Sequence, residues 1–219
     1  MTKLMIFDLD GTLLDTIHDL AAATNWVLER HGYPTHPTKA YHYFVGDGVL
    51  MLITRALPEE ARIPEIIAQL KTEQVAYYNE HMLDSTKPFA GISEVLEELQ
   101  NKGYALAVVT NKPNEPAQQL VKDFFPKINF MQVFGQRDGI PHKPDPTCVN
   151  MVIEQSGFSK DETLYFGDSD VDMLVAKNAD VRGIGVLWGY RTKEELEKAG
   201  AYTVIDKVED ILSIAEKNG

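Results

Sequence analysis

Short apolar runs and helical repeats alternate unevenly along this chain. Leu4-Met5-Ile6-Phe7 is an apolar run without alternation, the pattern of a strand buried on both faces of a parallel sheet. Comparable runs recur at Tyr104–Val109, Thr163–Phe166, Gly183–Leu187 and Tyr202–Ile205, with a weaker one near Phe130–Phe134. Between them the apolar positions take helical spacing. Ile92, Val95, Leu96 and Leu99 share one face ahead of Gly103, and Val149, Val152 and Ile153 share another ahead of Gly157; both glycines suit a helix C-terminus. From residue 88 onward strands alternate with helices, which predicts βαβ units and an α/β fold with a parallel sheet.

Residues 15–86 follow a different pattern. Ile17, Leu20, Ala21, Thr24, Val27, Leu28 and His31 keep helical spacing, with Asp15 or Thr16 as a candidate cap. Further helical patterns cover Thr38–Phe44, Asp47–Leu57 and Glu65–Met82, and no strand pattern interrupts them. The expectation is an all-helical second domain over 15–86, inserted after the first strand and standing over the sheet edge. The core is then built from 1–14 and 87–219.

Composition narrows the classes. With 219 residues, 44% hydrophobic and 25% charged, the chain is of ordinary globular make-up. The 33 acidic against 21 basic residues give a net charge of −12, which argues against nucleic acid or an anionic membrane as partner. A single cysteine, Cys148, excludes an internal disulfide or a cysteine-rich zinc site; on its helical stretch it reads as a small buried residue. The four apolar residues before Asp8 are too few for a signal peptide or a membrane span, and no later run is long enough. The expected setting is soluble and cytoplasmic.

The chemistry concentrates at the carboxyl ends of the strands, where open parallel sheets bind ligands. The first strand leads into Asp8-Leu9-Asp10-Gly11-Thr12, the second into Thr110-Asn111-Lys112, and the Thr163–Phe166 strand into Gly167-Asp168-Ser169-Asp170-Val171-Asp172. A loop before the last of these carries His142-Lys143-Pro144-Asp145-Pro146. Asp8 and Asp10, two apart in extended chain, leave on the same side. Gly11 permits a tight turn, and Thr12 can direct its hydroxyl back into the loop. A capped strand-to-helix turn would also use these residues. Asp168 at a second strand end, with Asp172 four residues on, favours chemistry. Carboxylates converging at one sheet edge repel each other unless a cation sits among them, and hard oxygen ligands suit Mg²⁺.

The set D-L-D-G-T, T-N-K, H-K-P-D-P and G-D-S-x-x-D, in this order across the whole chain, resembles the haloacid dehalogenase-like hydrolases, in particular their phosphoglycolate phosphatase and β-phosphoglucomutase branch. No one motif is specific; the four in order, with the helical insert after the first, are. The resemblance implies a Rossmann-like core with a helical cap, Mg²⁺, and phosphoryl transfer through a phosphoaspartate; the leading expectation is a Mg²⁺-dependent phosphatase that hydrolyses a small phosphorylated metabolite, a phosphate monoester of the phosphoglycolate type. It implies that Asp8 is the nucleophile and a Mg²⁺ ligand. Asp10 would protonate the leaving oxygen, deprotonate the hydrolytic water and lend the metal its backbone carbonyl. Thr110 and the Asn111 N–H would bind phosphoryl oxygens. Lys143, expected to be held extended by Pro144, would bridge Asp8 and the phosphate. Asp168 would ligate Mg²⁺, with Asp172 holding Lys143 or the metal's waters. Relatives that dehalogenate carbon lack the second aspartate, so Asp10 argues for phosphate.

Other positions stay two-sided. Lys112 either reaches a substrate carboxylate or is a solvated lysine at a loop start. Gly46-Asp47-Gly48 either resembles the cap loop that meets substrate or begins a helix. Arg55 either clamps an anionic group or is an exposed helix arginine, and Asp170 reads as a favourable helix N-terminal charge. Where the branch has glycine after Ala176-Lys177-Asn178-Ala179, this chain has Asp180. Substrate would bind between cap and core, with closure excluding water. A phosphomutase, or a signalling module phosphorylated on Asp8, are the alternatives, and a monomer and a homodimer are both open.

Overall fold

The computed structural model describes residues 3–217. In chain order the strands are β1 (Leu4–Phe7), β2 (Leu14–Asp15), β3 (Lys87–Pro88), β4 (Ala105–Pro113), β5 (Phe130–Gln136), β6 (Thr163–Gly167), β7 (Arg182–Val186) and β8 (Thr203–Ile205). The helices are α1 (Ile17–Arg30), α2 (Thr38–Phe44), α3 (Val49–Ala56), α4 (Pro64–His81), α5 (Ile92–Asn101), α6 (Asn114–Phe124), α7 (Thr147–Ser156), α8 (Asp170–Ala179), α9 (Lys193–Ala199) and α10 (Asp210–Lys217). The chain forms two compact units, Asp15–Lys87 and the remainder on either side of it.

In the larger unit six strands form one sheet in the order β5-β4-β1-β6-β7-β8, every pair parallel. β1 is central and every residue of it is fully buried, which explains its unbroken apolar run. Phe7 lies level with Val108 of β4 and Phe166 of β6, and its ring stacks on Phe166 at 4.9 Å. The chain turns outward in opposite directions on the two sides of β1. That strand is the topological switch point, where the crevice at the strand ends opens. Leu4, Ile6, Ala107, Val109 and Tyr165 pack with Val149, Val152 and Ile153 of α7 and Val175, Ala176 and Ala179 of α8. Half-buried Cys148 lies against that cluster, and burial pushes its thiol pKa up.

β4 runs to Pro113, past the end of its apolar stretch, so Thr110, Asn111 and Lys112 are strand residues. α8 is closed by Asp180, the residue after its last turn, which takes the left-handed conformation at φ 61°; the position that glycine usually fills in this branch thus keeps glycine's backbone geometry with an aspartate, a residue that tolerates it better than most. No helix among the described residues is long and apolar enough to cross a membrane.

The smaller unit is built from α1, α2, α3 and α4 around Val27, Leu28, Ile53, Ala56, Leu57, Ala61 and Leu70. Thr16 holds the N-cap position of α1 but makes no side-chain capping bond. The polar anchor sits one turn in. Buried Asp19 Oδ2 accepts from Ser85 N–H at 3.1 Å, Thr86 N–H at 2.8 Å and Thr86 Oγ1 at 2.8 Å, tying α1 to the segment that follows α4. Asp19→Ala strips three bonds from one charged acceptor and leaves a buried amide unpaired. The expected cost is about 1–3 kcal/mol, read as a lower chemical denaturation midpoint at unchanged secondary structure; an unshifted midpoint contradicts the anchoring role.

Candidate active site

The site is assembled at the ends of β1, β4 and β6. Asp8 follows β1 directly, and its N–H donates to the Phe166 carbonyl at 2.9 Å, fixing it against β6. The chain then turns tightly, with the N–H groups of Leu13 and Leu14 both 3.0 Å from the Leu9 carbonyl. Gly11, at φ 83°, lets this turn approach Asp168: a Cβ here would run into the Asp168 carboxylate, and one on Gly189 would strike Asp168 Cβ and the Gly11 carbonyl. The Thr12 hydroxyl donates to Asp168 Oδ1 at 3.1 Å, across to another strand end instead of back into its own loop, while Tyr190 N–H donates to Oδ2 at 2.9 Å. Trp188 Nε1–H holds the turn through the Thr12 carbonyl at 2.9 Å.

Lys143 enters from the loop before α7. Its Nζ lies 2.7 Å from Asp172 Oδ1, 3.0 Å from Asp8 Oδ1 and 3.0 Å from the Tyr165 hydroxyl. The main chain of Lys143 is clamped by the Asn111 amide, whose Oδ1 accepts its N–H at 2.8 Å and whose Nδ2 donates to its carbonyl at 3.1 Å. The Lys143–Pro144 peptide bond is cis. Asp172 is saturated: besides Lys143 and Tyr165, its Oδ2 accepts from Ser169 N–H at 3.1 Å and Oγ at 2.6 Å in a capping box that starts α8. The Tyr165 hydroxyl also reaches the Val109 carbonyl at 2.9 Å.

Lys112 is neither solvated nor idle. Its side chain is 2% exposed, and Nζ sits 3.0 and 3.2 Å from the two carboxylate oxygens of Asp10, whose own side chain is 19% exposed. Buried Thr110 accepts the Lys112 N–H at 3.2 Å through its hydroxyl. Asp170, at the first turn of α8, pairs at 3.6 Å with Arg191. In the smaller unit, Gly46 (φ 115°) and Gly48, the N-cap of α3, flank Asp47. Arg55 is half-buried there and bound to the Asp47 carboxylate and to the Phe44 carbonyl at 3.1 Å, so it is not an exposed helix arginine.

Asp8, Asp168 and Asp172 are all buried and offer oxygens within 4.8 Å of one another. Burial, reinforced by Asp172 and Asp10 and opposed by Lys143, lifts the Asp8 pKa to about 7. Burial, with Asp172 and Asp8, holds Asp168 well above the usual carboxylate range, against the Tyr190 N–H and Arg191. Burial works against the Lys143 charge, but Asp172 and Asp8 outweigh it and its pKa stands well above the lysine norm. One ammonium cannot neutralise three buried carboxylates. Asp8 Oδ1 has Lys143 Nζ at 3.0 Å and accepts no other hydrogen bond. A hard divalent cation fits this donor set, with Asp8 and Asp168 the carboxylates retaining capacity for it.

The raised Asp8 pKa has a consequence for the metal-free protein. A carboxyl whose pKa is higher in the folded than in the unfolded state adds stability that is fully present below about pH 4 and is lost as pH rises through about 7. Wild type is therefore expected to lose melting temperature relative to Asp8→Asn as pH rises from 4 to 8 in the presence of a chelator. Parallel Tm curves for the two proteins across that range contradict the burial account.

The sequence patterns pointed to Asp8, Asp10, Thr12, Thr110, Asn111, Lys112, Lys143, Asp168 and Asp172, and the fold brings all nine to one sheet edge. Gly46 and Arg55 belong to the other unit. Tyr165, Ser169, Gly189 and Tyr190 were not singled out. For Tyr165 a signal existed, since a tyrosine in a fully buried strand needs a partner for its hydroxyl.

The haloacid dehalogenase-like hydrolase family model matches residues 5–186. The phosphoglycolate phosphatase of Vibrio cholerae is 34% identical over 220 residues, covering 97% of this chain and 96% of that protein. The one from Vibrio parahaemolyticus is 32% identical over 220 residues, covering 97% and 95%. A solved structure from Lactobacillus delbrueckii subsp. bulgaricus, a candidate phosphoglycolate phosphatase, superposes with a TM-score of 0.93 at 33% identity, covering 98% and 99% of the two chains. With that match across the sheet and all four motifs at its edge, the chain belongs to the haloacid dehalogenase-like hydrolases.

Proposed function

We propose that this phosphatase uses Mg²⁺ and Asp8 to hydrolyse a small phosphate monoester of the phosphoglycolate type. The observation that carries the reading is the buried Asp8 carboxylate, whose Oδ1 lies 3.0 Å from Lys143 Nζ and which shares its place with buried Asp168 and Asp172. A carboxylate attacking an anionic phosphoryl group needs positive charge beside it, and positioning with electrostatics supplies most of the acceleration in phosphoryl transfer. An Asp8 oxygen forms the new bond to phosphorus as the bond to the leaving oxygen breaks, and Asp10 gives that oxygen its proton. Asp10 then takes a proton from the water that attacks the phosphoaspartate, which releases phosphate and restores Asp8. Thr110 and the Asn111 N–H hold phosphoryl oxygens, and Lys143 spans Asp8 and the phosphoryl group. Mg²⁺, held by Asp8, Asp168 and the Asp10 carbonyl, would neutralise charge on Asp8 and the phosphoryl oxygens. Asp172 and Tyr165 aim Lys143, and the turn at Gly11 sets Asp8 against Asp168.

The substrate class follows the curated relatives, which are named for phosphoglycolate. The test is phosphate release from 2-phosphoglycolate, β-glucose 1-phosphate, pyrophosphate, nucleoside monophosphates and p-nitrophenyl phosphate. The expected result is strongest release from 2-phosphoglycolate, abolished by EDTA and restored by Mg²⁺. Conversion of β-glucose 1-phosphate to glucose 6-phosphate without phosphate release would contradict it. Mg²⁺ is also expected to raise Tm more at pH 8 than at pH 5, because its carboxylate ligands must be ionised to bind it.

A further inference from the structure

We infer that Lys112 selects substrates bearing a carboxylate next to the phosphoryl group, by exchanging its contact with Asp10 for one with that carboxylate; this rests on the phosphatase reading above. Lys112 is the second cation at this sheet edge, and it stands apart from the first. Lys143 faces Asp8, Asp172 and Tyr165, whereas Lys112 places Nζ against both oxygens of Asp10. The stem of Lys112 lies in β4, its N–H fixed on the Thr110 hydroxyl at 3.2 Å. The charge therefore sits on a rigid strand, which favours a specific role over a roaming surface lysine.

Position decides what this ammonium meets. Asp10 is the group that hands a proton to the leaving oxygen, so in the reacting complex the two oxygens are one hydrogen bond apart. With Asp10 where it stands, Lys112 Nζ, 3.0 Å from it, is about two hydrogen-bond lengths, roughly 6 Å, from the leaving oxygen. In 2-phosphoglycolate the carboxylate is joined to the leaving oxygen through a single methylene. That short link lets its oxygens span the gap to Nζ. A second anion in a poorly solvated pocket is costly unless a cation lies beside it. Lys112 supplies that cation only for a substrate that carries the anion.

The present pairing also explains how the cation is reached. Asp10 covers Nζ, and the Asp10 side chain is the more exposed of the two. As Asp10 turns to the leaving oxygen it gives up its contacts with Lys112 and uncovers the ammonium. The carboxylate of the substrate takes its place, so the substrate that neutralises Lys112 is also the one that frees Asp10. A neutral leaving group has nothing to offer in that exchange, and Asp10 must be drawn from its partner without compensation.

The experiment compares 2-phosphoglycolate with 2-hydroxyethyl phosphate, which has the same chain length and no carboxylate. The readout is the ratio of the two kcat/KM values with Mg²⁺ present, measured for wild type, Lys112→Met and Lys112→Arg. Wild type is expected to favour 2-phosphoglycolate by at least tenfold. Lys112→Met should cut that ratio at least tenfold, with most of the change in KM for 2-phosphoglycolate, and Lys112→Arg should restore part of it. If Lys112 serves only Asp10, or only the fold, both substrates fall together and the ratio stays put, which overturns the inference while the phosphatase reading stands. Brisk turnover of both by wild type at a ratio near one overturns it equally. No turnover of either substrate or of p-nitrophenyl phosphate by wild type overturns the phosphatase reading and this inference with it.

Discussion

Asp8→Asn is expected to lower phosphate release by at least about 10³-fold while the circular dichroism spectrum stays that of wild type. The expectation has two parts because the same residue plays opposite roles. As a nucleophile its loss removes the covalent route, and an amide oxygen does not replace a carboxylate at phosphorus. As a structural group Asp8 is costly: it is buried near Asp168 and Asp172, and burial raises its pKa to about 7. Replacing it with a neutral isostere relieves that cost and keeps the shape of the end of β1. An inactive and destabilised variant would fit loss of folding equally well. An inactive variant with undiminished Tm at pH 8 isolates the chemical role. Retained turnover would remove Asp8 from the reaction.

Lys143→Met is expected to be the most damaging single change to the metal-free core. It leaves Asp8 and Asp172 facing each other without the ammonium that now lies 3.0 and 2.7 Å from them. Removing one partner of a buried ion pair costs about 3–5 kcal/mol, and methionine keeps the packing of the stem, so the change reports charge and not volume. Because burial, Asp172 and Asp10 already push Asp8 up against the pull of Lys143, the variant should recover stability on acidification, as the stranded carboxylates take up protons. The comparison is the chemical denaturation midpoint at pH 5 and pH 8 with a chelator present. A variant as stable as wild type at pH 8 contradicts the central position given to Lys143. Its turnover is expected to fall by at least about 10²-fold with Mg²⁺ restored.

The strands of the core were legible where burial is complete. Leu4–Phe7 and Thr163–Phe166 are short unbroken runs because both faces of the sheet are covered there and no position along them has to meet water. β4 was legible only as far as Val109, since its remaining residues are the polar side chains that build the site. The pattern stops where the function starts. Asp8, Asp10 and Asp168 were visible because carboxylates seldom gather at strand ends without a reason. The resemblance pointed to Lys143 as the partner of Asp8, but the partners of Asp10 and Asp168 were not visible, because they are remote in the chain. Thr12 pairs with Asp168 across 156 positions and Lys112 with Asp10 across 102, and local spacing holds no information about either. The hydroxyl of Tyr165 signalled a need for a partner, but nothing local showed that Val109, Lys143 and Asp172 surround it. Asp180 showed in the sequence only as a departure from the branch's glycine, with a strained or reshaped turn left open; the chain keeps the left-handed conformation there.

The stereochemical course at phosphorus tests the central claim, that Asp8 carries the phosphoryl group between substrate and water. Transfer to Asp8 and then to water is two in-line displacements, each inverting phosphorus, whereas direct attack by water is one. With an isotopically chiral thiophosphate monoester as substrate and isotopically labelled water as solvent, the thiophosphate released should show net retention. Net inversion would mean that water attacks the substrate directly, and would contradict the role given to Asp8.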